Sequence, residues 1–281
     1  MPIGLGASLG IGGGRSSTSS GAPTGGATPF ANTLSSSYDG TDEYLNIPHA
    51  SSLTIAGDMT ISAWVKRTEL VNASAGGYFP ILTKRSGTVG DTNYQFYCDA
   101  ADGTAAGGLR FYDGNSVISP ASATVIPAGA WTHVVIAIDS GATNGVKWYV
   151  NGSAEANTNT ATNDNSNTDP VMIGKLGAAN YYAKGQIDEV ALWDSALTAA
   201  QVANIYRGEE NGGSGGTNGT PGDLATFSPL GWWRMGDGTG DTDSGGGTPA
   251  SGDDIGTVAD QVSGGNNAAG ANDPTFSSDI P

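Results

Sequence analysis

The chain has 281 residues, enough for one large β domain or two small ones, and only 14% of them are charged. The net charge is −16, and residues 209–281 hold eleven acids against Arg234 alone. So acidic a surface argues against binding to phosphate backbones or anionic membranes. Cys98 is the single cysteine, which excludes an internal disulfide and cysteine-based zinc clusters. Its residue type and strand context predict a small buried side chain.

Residues 1–36 are Gly, Ser, Thr, Ala and Pro with sparse Ile3, Leu5, Leu9 and Ile11. Such a stretch buries too little by itself to offset its ordering entropy, so it reads as an arm that docks on other subunits. The start at Met1 shows neither a basic n-region nor a dense apolar segment, which points to assembly rather than secretion. No run of eighteen apolar residues occurs, so no membrane-spanning helix is expected.

From Tyr38 the pattern is all-β. Strands are predicted at 44–47, 59–66, 78–85, 93–99, 108–113, 132–139, 146–150, 171–175 and 186–193. In Thr60–Lys66, Ile61, Ala63 and Val65 alternate with Thr60, Ser62 and Trp64. Asp102-Gly103, Asp113-Gly114, Asn144-Gly145 and Asn151-Gly152 mark tight turns that tolerate positive φ. Residues 153–169 lack periodicity and read as a long exposed loop. After the last of these strands the period changes: Leu197, Val202, Ile205 and Tyr206 share one face of a short helix. Thr198 and Gln201 form a capping box, and Gly208 stands where the helix should stop. Residues 209–230 read as a flexible linker. Within 231–281 only Leu230–Met235 reads as a good strand, too little for a separate core, so this segment must complete something else.

From Tyr38 to Gly208 the order of motifs resembles the laminin-G-like jelly roll of the concanavalin A-like lectin/glucanase superfamily. The likeness is carried by YDGTDEYLNIP (38–48), LTIAGDMTISAWVK (53–66), WTHVVIAID (131–139), VKWYVNG (146–152), VMIGK (171–175) and GQIDEVALWDSALTAAQVANIYRG (185–208). The resemblance implies an all-β, two-sheet antiparallel jelly-roll sandwich with one short C-terminal helix and a Gly-rich arm. Ile61, Val65, Val134, Ile136 and Ile138 are then inward residues, with Trp64, Trp131 and Trp193 as large packing units. The family's usual first strand and its D-x-S-G-N-x-N turn are missing upstream. Their likeness appears instead at Trp232–Asp237 and Asp260–Asn267, which suggests a circularly permuted sandwich completed by the C-terminal segment. The expected division is therefore an arm at 1–36, a jelly roll at 37–208, a linker at 209–230 and a permuted strand within 231–281.

Glucanases of this fold use a Glu-x-Asp-x-x-Glu strand, and no such spacing occurs here. The nearest run, Asp188 to Asp194, lacks the third carboxylate in phase. His49 and His133 are the only histidines, and His133 reads as strand packing rather than as a base. No enzyme is expected. The resemblance implies a structural Ca²⁺ held by Asp39 and Asp188, with Asp42 as a further ligand; hard oxygen donors suit that ion. Carbohydrate binding would draw on Tyr94, Phe96, Tyr97, Phe111, Tyr112, Tyr181 and Tyr182, about half of which must be core in alternating strands. The sequons at Asn72, Asn151 and Asn218 are read as chance. The expected role is a non-enzymatic surface protein of a bacterial virus, assembled as a homo-oligomer through its arm and binding host glycans. The alternative is a secreted or cell-surface carbohydrate-binding adhesin.

Overall fold

The computed structural model describes residues 30–70, 77–85, 92–99, 107–114, 116–118, 124–156, 159–164, 166–177, 180–262 and 265–281. They form two facing antiparallel sheets, whose strands are numbered in chain order. The eight-stranded sheet runs β10 (Ser153–Ala154), β9 (Val146–Val150), β8 (Thr132–Ile138), β3 (Met59–Arg67), β12 (Lys184–Trp193), β1 (Ser35–Asp39) and β17 (Thr275–Ser277), with β13 (Gly231–Trp233) also paired to β12. The nine-stranded sheet runs β14 (Thr242–Asp243), β15 (Ile255–Val258), β16 (Ala268–Ala271), β2 (Tyr44–Ile47), β11 (Val171–Ile173), β4 (Phe79–Lys84), β5 (Tyr94–Asp99), β6 (Gly108–Tyr112) and β7 (Val117–Ile118). All of these strands belong to one unit, Ala31–Pro281.

All nine strands expected from the alternation are present, within a few residues at each end. Ile61, Ala63, Val65, Val134, Ile136 and Ile138 lie in the core between the sheets. Helix α1 (Ala199–Tyr206) carries the expected capping box: the Gln201 amide N–H donates to Thr198 Oγ1 at 3.3 Å, and the Thr198 N–H to Gln201 Oε1 at 2.9 Å. Each such pair satisfies two orphan helix donors and stabilises the helix by about 1 kcal/mol. Gly208 follows at φ 64°, a left-handed conformation that ends the helix.

The C-terminal segment differs from its expected form. It contributes five strands to both sheets rather than one. β13 pairs with Val190–Leu192, β17 with Ser35–Ser37, and β16 with Tyr44–Asn46. Trp233 is fully buried in the core, and its indole N–H donates to Asn266 O at 2.8 Å. The 209–230 stretch is no free linker: Leu224 and Phe227 are buried, and Trp193 Nε1 donates to Phe227 O at 3.0 Å. Nor is 153–169 wholly exposed, because Ala161 and Asn163 are buried and Asn163 Nδ2 donates to Ile55 O at 3.1 Å. The sandwich also begins inside the expected arm, with Leu34 buried and β1 starting at Ser35; residues 1–29 of that arm lie outside the described residues.

β12 is the seam of the molecule. Its first half pairs with β1 and its second half with β13, on the same edge. Between the two halves lies a bulge at Asp188–Ala191, where Glu189 takes φ 48°. There Trp232 Nε1 and Arg234 Nε donate to Glu189, while Asn32 Nδ2 donates to Asp188 Oδ2 at 3.0 Å. Asp237 accepts from the backbone N–H groups of Thr33 and Leu34. Residues 32–34 and 232–237 are thus locked together over a buried pair of carboxyls.

Candidate functional site

The outer faces of the two sheets are built differently. On the eight-stranded sheet, Thr60, Ser62 and Trp64 point away from the core; Thr60 Oγ1 donates to Ser195 O at 2.7 Å and accepts from Leu197 N at 2.9 Å, just before helix α1. Tyr206 of the helix stacks on Trp64 at 5.7 Å and on His133 at 6.0 Å between ring centroids. His133 is fully buried, its Nε2 lies 2.8 Å from Ser62 Oγ, and burial pushes its pKa down to about 3. This histidine is packing.

On the nine-stranded sheet, alternation in β5 and β6 sends Tyr94, Phe96, Cys98, Leu109 and Phe111 into the core. Gln95, Tyr97, Asp99, Arg110 and Tyr112 therefore face outward, paired across the ladder as Gln95 with Tyr112 and Tyr97 with Arg110. A bulge in β4 puts Ile81 and Leu82 both in the core and leaves Thr83 on the outer face, opposite Gln95. Loops bring Tyr78 and Tyr181 over this face. Tyr78 meets Tyr97 edge-on at 5.5 Å and Tyr181 at 4.8 Å between centroids. The result is a cleft of about 240 Å³ lined by Tyr78, Arg85, Gln95, Tyr97, Tyr112, Val117, Leu176 and Tyr181.

One polar atom in its lining is unsatisfied among the described residues. Arg85 Nη1 donates to Gln95 Oε1 at 3.4 Å, which leaves Gln95 Nε2 as a buried donor with no acceptor among the described residues. Thr83 Oγ1 is also buried without a partner among the described residues. Buried polar groups in this state have a desolvation penalty of about 1–3 kcal/mol each unless something arrives to bond them. Behind the cleft Arg110 Nε faces Asp99 Oδ2 at 3.7 Å. Burial, reinforced by Asp99, holds the Tyr97 hydroxyl far above its ordinary pKa, so it stays a neutral donor. Among the described residues no carboxylate lines the cleft.

The aromatic candidates divide as alternation requires. Tyr97, Tyr112 and Tyr181 line the cleft, while Tyr94, Phe96 and Phe111 are core. Tyr182 lies elsewhere, 6.3 Å from Tyr44 with Lys175 Nζ 4.2 Å over the Tyr44 ring. Residue type alone does not single out Arg85, Gln95, Tyr78, Val117 and Leu176; the signal for Gln95 is its phase with Tyr97 in YQFYCD.

The expected calcium ligands do not converge. Asp39 is exposed and closes an Asx turn, its Oδ1 accepting from Thr41 N at 2.6 Å. Asp42 is exposed on the same turn. Asp39 pairs with Lys184, four residues before Asp188, which sets it roughly 13 Å away along the strand. Asp188 is fully buried, bonded by Asn32 and by the Glu189 N–H, and burial and Glu189 raise its pKa. No group of three His, Cys, Asp or Glu side chains suited to a metal occurs among the described residues. The Asp39, Asp42 and Asp188 set as expected does not fit one ion. Cys98 is buried among apolar groups, and burial raises its thiol pKa to about 11, so it is unreactive.

Two facing antiparallel sheets with one brief helix define a lectin-like β-sandwich. The family model for concanavalin A-like lectin/glucanases matches residues 39–203, and the chain belongs to that superfamily. Comparison with curated proteins returns no match. Among solved structures, a candidate carbohydrate-binding protein of Bacteroides ovatus superposes with a TM-score of 0.57 at 19% identity; the match covers 89% of this chain but only 61% of that one. A heptameric pentraxin of Limulus polyphemus gives a TM-score of 0.46 at 17% identity, covering 62% of this chain and 82% of that one.

Proposed function

We propose that this chain is a non-enzymatic carbohydrate-binding module that takes a saccharide into the tyrosine cleft of the nine-stranded sheet. One observation carries the reading: Gln95 Nε2, buried and without a partner among the described residues, lines the same cleft as Tyr78, Tyr97 and Tyr181. A sugar ring offers both complements, apolar C–H faces for the rings and hydroxyl oxygens for the amide. Membership of a superfamily that includes lectins supports it, as does the described character of the Bacteroides ovatus protein. The test is a glycan array with the full chain and its Tyr97→Ala variant. Binding that Tyr97→Ala abolishes while the fold persists supports the proposal; binding unaffected by Tyr97→Ala, or none, overturns it.

We further propose that the module is displayed on the surface of a bacterial virus and assembles through residues 1–30. What supports this setting is composition: a Gly- and Ser-rich leading segment and a body with few charges. Deleting residues 2–30 should abolish assembly, read by sedimentation, and leave the melting temperature of the sandwich unchanged. Normal assembly of the deletion variant would remove this reading without touching the first.

A further inference from the structure

We infer that the ligand is an oligosaccharide laid across the strands, its outermost unit resting on Val117 at the edge of the nine-stranded sheet. The inference rests on the saccharide-cleft reading above and adds the length and direction of the ligand. Gln95 pairs with Tyr112 and Tyr112 with Val117, so three residues lining the cleft stand in one row across β5, β6 and β7. Strands lie about 4.8 Å apart, which sets Gln95 and Val117 roughly 10 Å from each other. The lining thus extends to the last strand of the sheet: among the described residues no strand pairs with the far side of β7.

The two ends of that row differ. At the inner end Tyr78 meets both Tyr97 and Tyr181, at 5.5 and 4.8 Å between ring centroids, beside the buried Gln95. The cleft holds about 240 Å³, less than the roughly 300–1,000 Å³ of sites that enclose a whole drug-sized ligand. A sugar ring seated among the tyrosines leaves little of it for a second, so further units lie along the row toward the edge. At the outer end Val117 is 58% exposed, while its neighbour Ile118 is in the core. A single exposed apolar side chain is ordinary; one that continues an aromatic-lined cleft is a platform for the C–H face of a sugar. The hairpin that carries it is preset. Tyr112 Oη donates to Gly114 O at 3.0 Å, Ser116 N to Asp113 Oδ1 at 2.7 Å, and Gly114 takes φ 91°. Tyr112 and Val117 therefore hold their places before a ligand arrives, which lowers the ordering cost of binding.

Chain length is the discriminating variable. NMR titration of the full chain would use cello-, xylo-, manno- and galacto-oligosaccharides of one to four units, on the wild type, Val117→Ser, Val125→Ser and Tyr97→Ala. Val117 and Val125 are both exposed, so their variants should fold, and Val125 lies outside the cleft lining; melting curves check the fold. In at least one series, affinity should rise about tenfold or more from one unit to three and level off at four. Val117→Ser should weaken the three-unit probe about fivefold and leave the one-unit probe unchanged, since only the longer ligand covers that side chain. Val125→Ser should change neither. Equal affinity for one and three units, or a length gain intact in Val117→Ser, overturns the inference; if Tyr97→Ala still abolishes binding, the cleft reading stands. A sedimentation shift of the free protein in Val117→Ser would assign the edge to a second copy and overturn it too. Absence of binding in every series also overturns it, and the glycan array decides separately whether the cleft reading falls.

Discussion

The two outer faces of this sandwich have the same pleated geometry and opposite finishes. On the eight-stranded sheet, the outward side chains are sealed: Tyr206 covers Trp64 and His133, and Trp193 bonds Phe227 O. On the nine-stranded sheet, four tyrosines line a cleft in which Gln95 Nε2 has no partner among the described residues. The first face also holds one buried polar atom without a partner among the described residues, His133 Nδ1, but it lies beneath Tyr206 and Trp64, whereas Gln95 Nε2 borders a cleft. The difference separates aromatics that hold the fold from aromatics available to a ligand, a distinction that residue type alone does not make.

The largest way to test that contrast is on the sealed face. Trp193 is 1% exposed, so Trp193→Ala should destabilise by about 3–5 kcal/mol and lower the melting temperature by roughly 10 °C or more. Saccharide affinity measured well below the new midpoint should stay as in the wild type. A loss of affinity in the folded variant would mean that the two faces are coupled.

A second effect belongs to the seam. Burial raises the pKa of Asp188, and that of Glu189 to about 7, although Arg234 and Trp232 favour the ionised Glu189. A raised carboxyl keeps its proton in the folded state to higher pH than in the unfolded chain. Its contribution is therefore most favourable below about pH 4.5 and is lost as pH rises through about 7. The melting temperature should fall by about 5 °C between pH 5 and pH 8, the reverse of the usual carboxylate pattern. Glu189→Gln should flatten that slope. An identical slope in the variant would place the titration elsewhere.

How much of this was legible depends on what each residue's role rests on. The strands of the sandwich announce themselves because Ile61, Ala63 and Val65 alternate with polar neighbours, and the helix because Thr198 and Gln201 cap it. The C-terminal strands do not. Ala268–Ala271 is AAGA, with no strand propensity, and it is extended because β2 and β15 flank it with hydrogen bonds. Linker composition misled in the same way, since Gly-rich spacing in 209–230 conceals the anchors Leu224 and Phe227. Half of the cleft was readable: the phase of YQFYCD puts Gln95, Tyr97 and Asp99 on one face, and the core on the other. Tyr78 and Arg85 flank β4 and Tyr181 lies in a loop, and no periodicity records that they meet over one face. Asp39 and Asp188 fail as ion ligands for a related reason, because strand register decides which carboxylates meet.

On the open face, effects on stability should be small and effects on binding larger. Tyr181 is only partly buried, so Tyr181→Ala should weaken saccharide binding about tenfold, or roughly 1.4 kcal/mol, with a melting shift of a few degrees at most. A variant that unfolds instead would move Tyr181 to the structural set. The finest test is Thr83→Val. The side chain is fully buried, its hydroxyl has no partner among the described residues, and valine has nearly the same shape. Removing an unsatisfied hydroxyl should stabilise the free protein by about 1 kcal/mol, where removing a bonded one would destabilise it by a similar amount. Thr83 stands beside the lining rather than in it, so affinity should change by less than about twofold. A gain in melting temperature with affinity retained leaves Gln95 as the polar group kept for the ligand; a loss in both would make Thr83 part of the site.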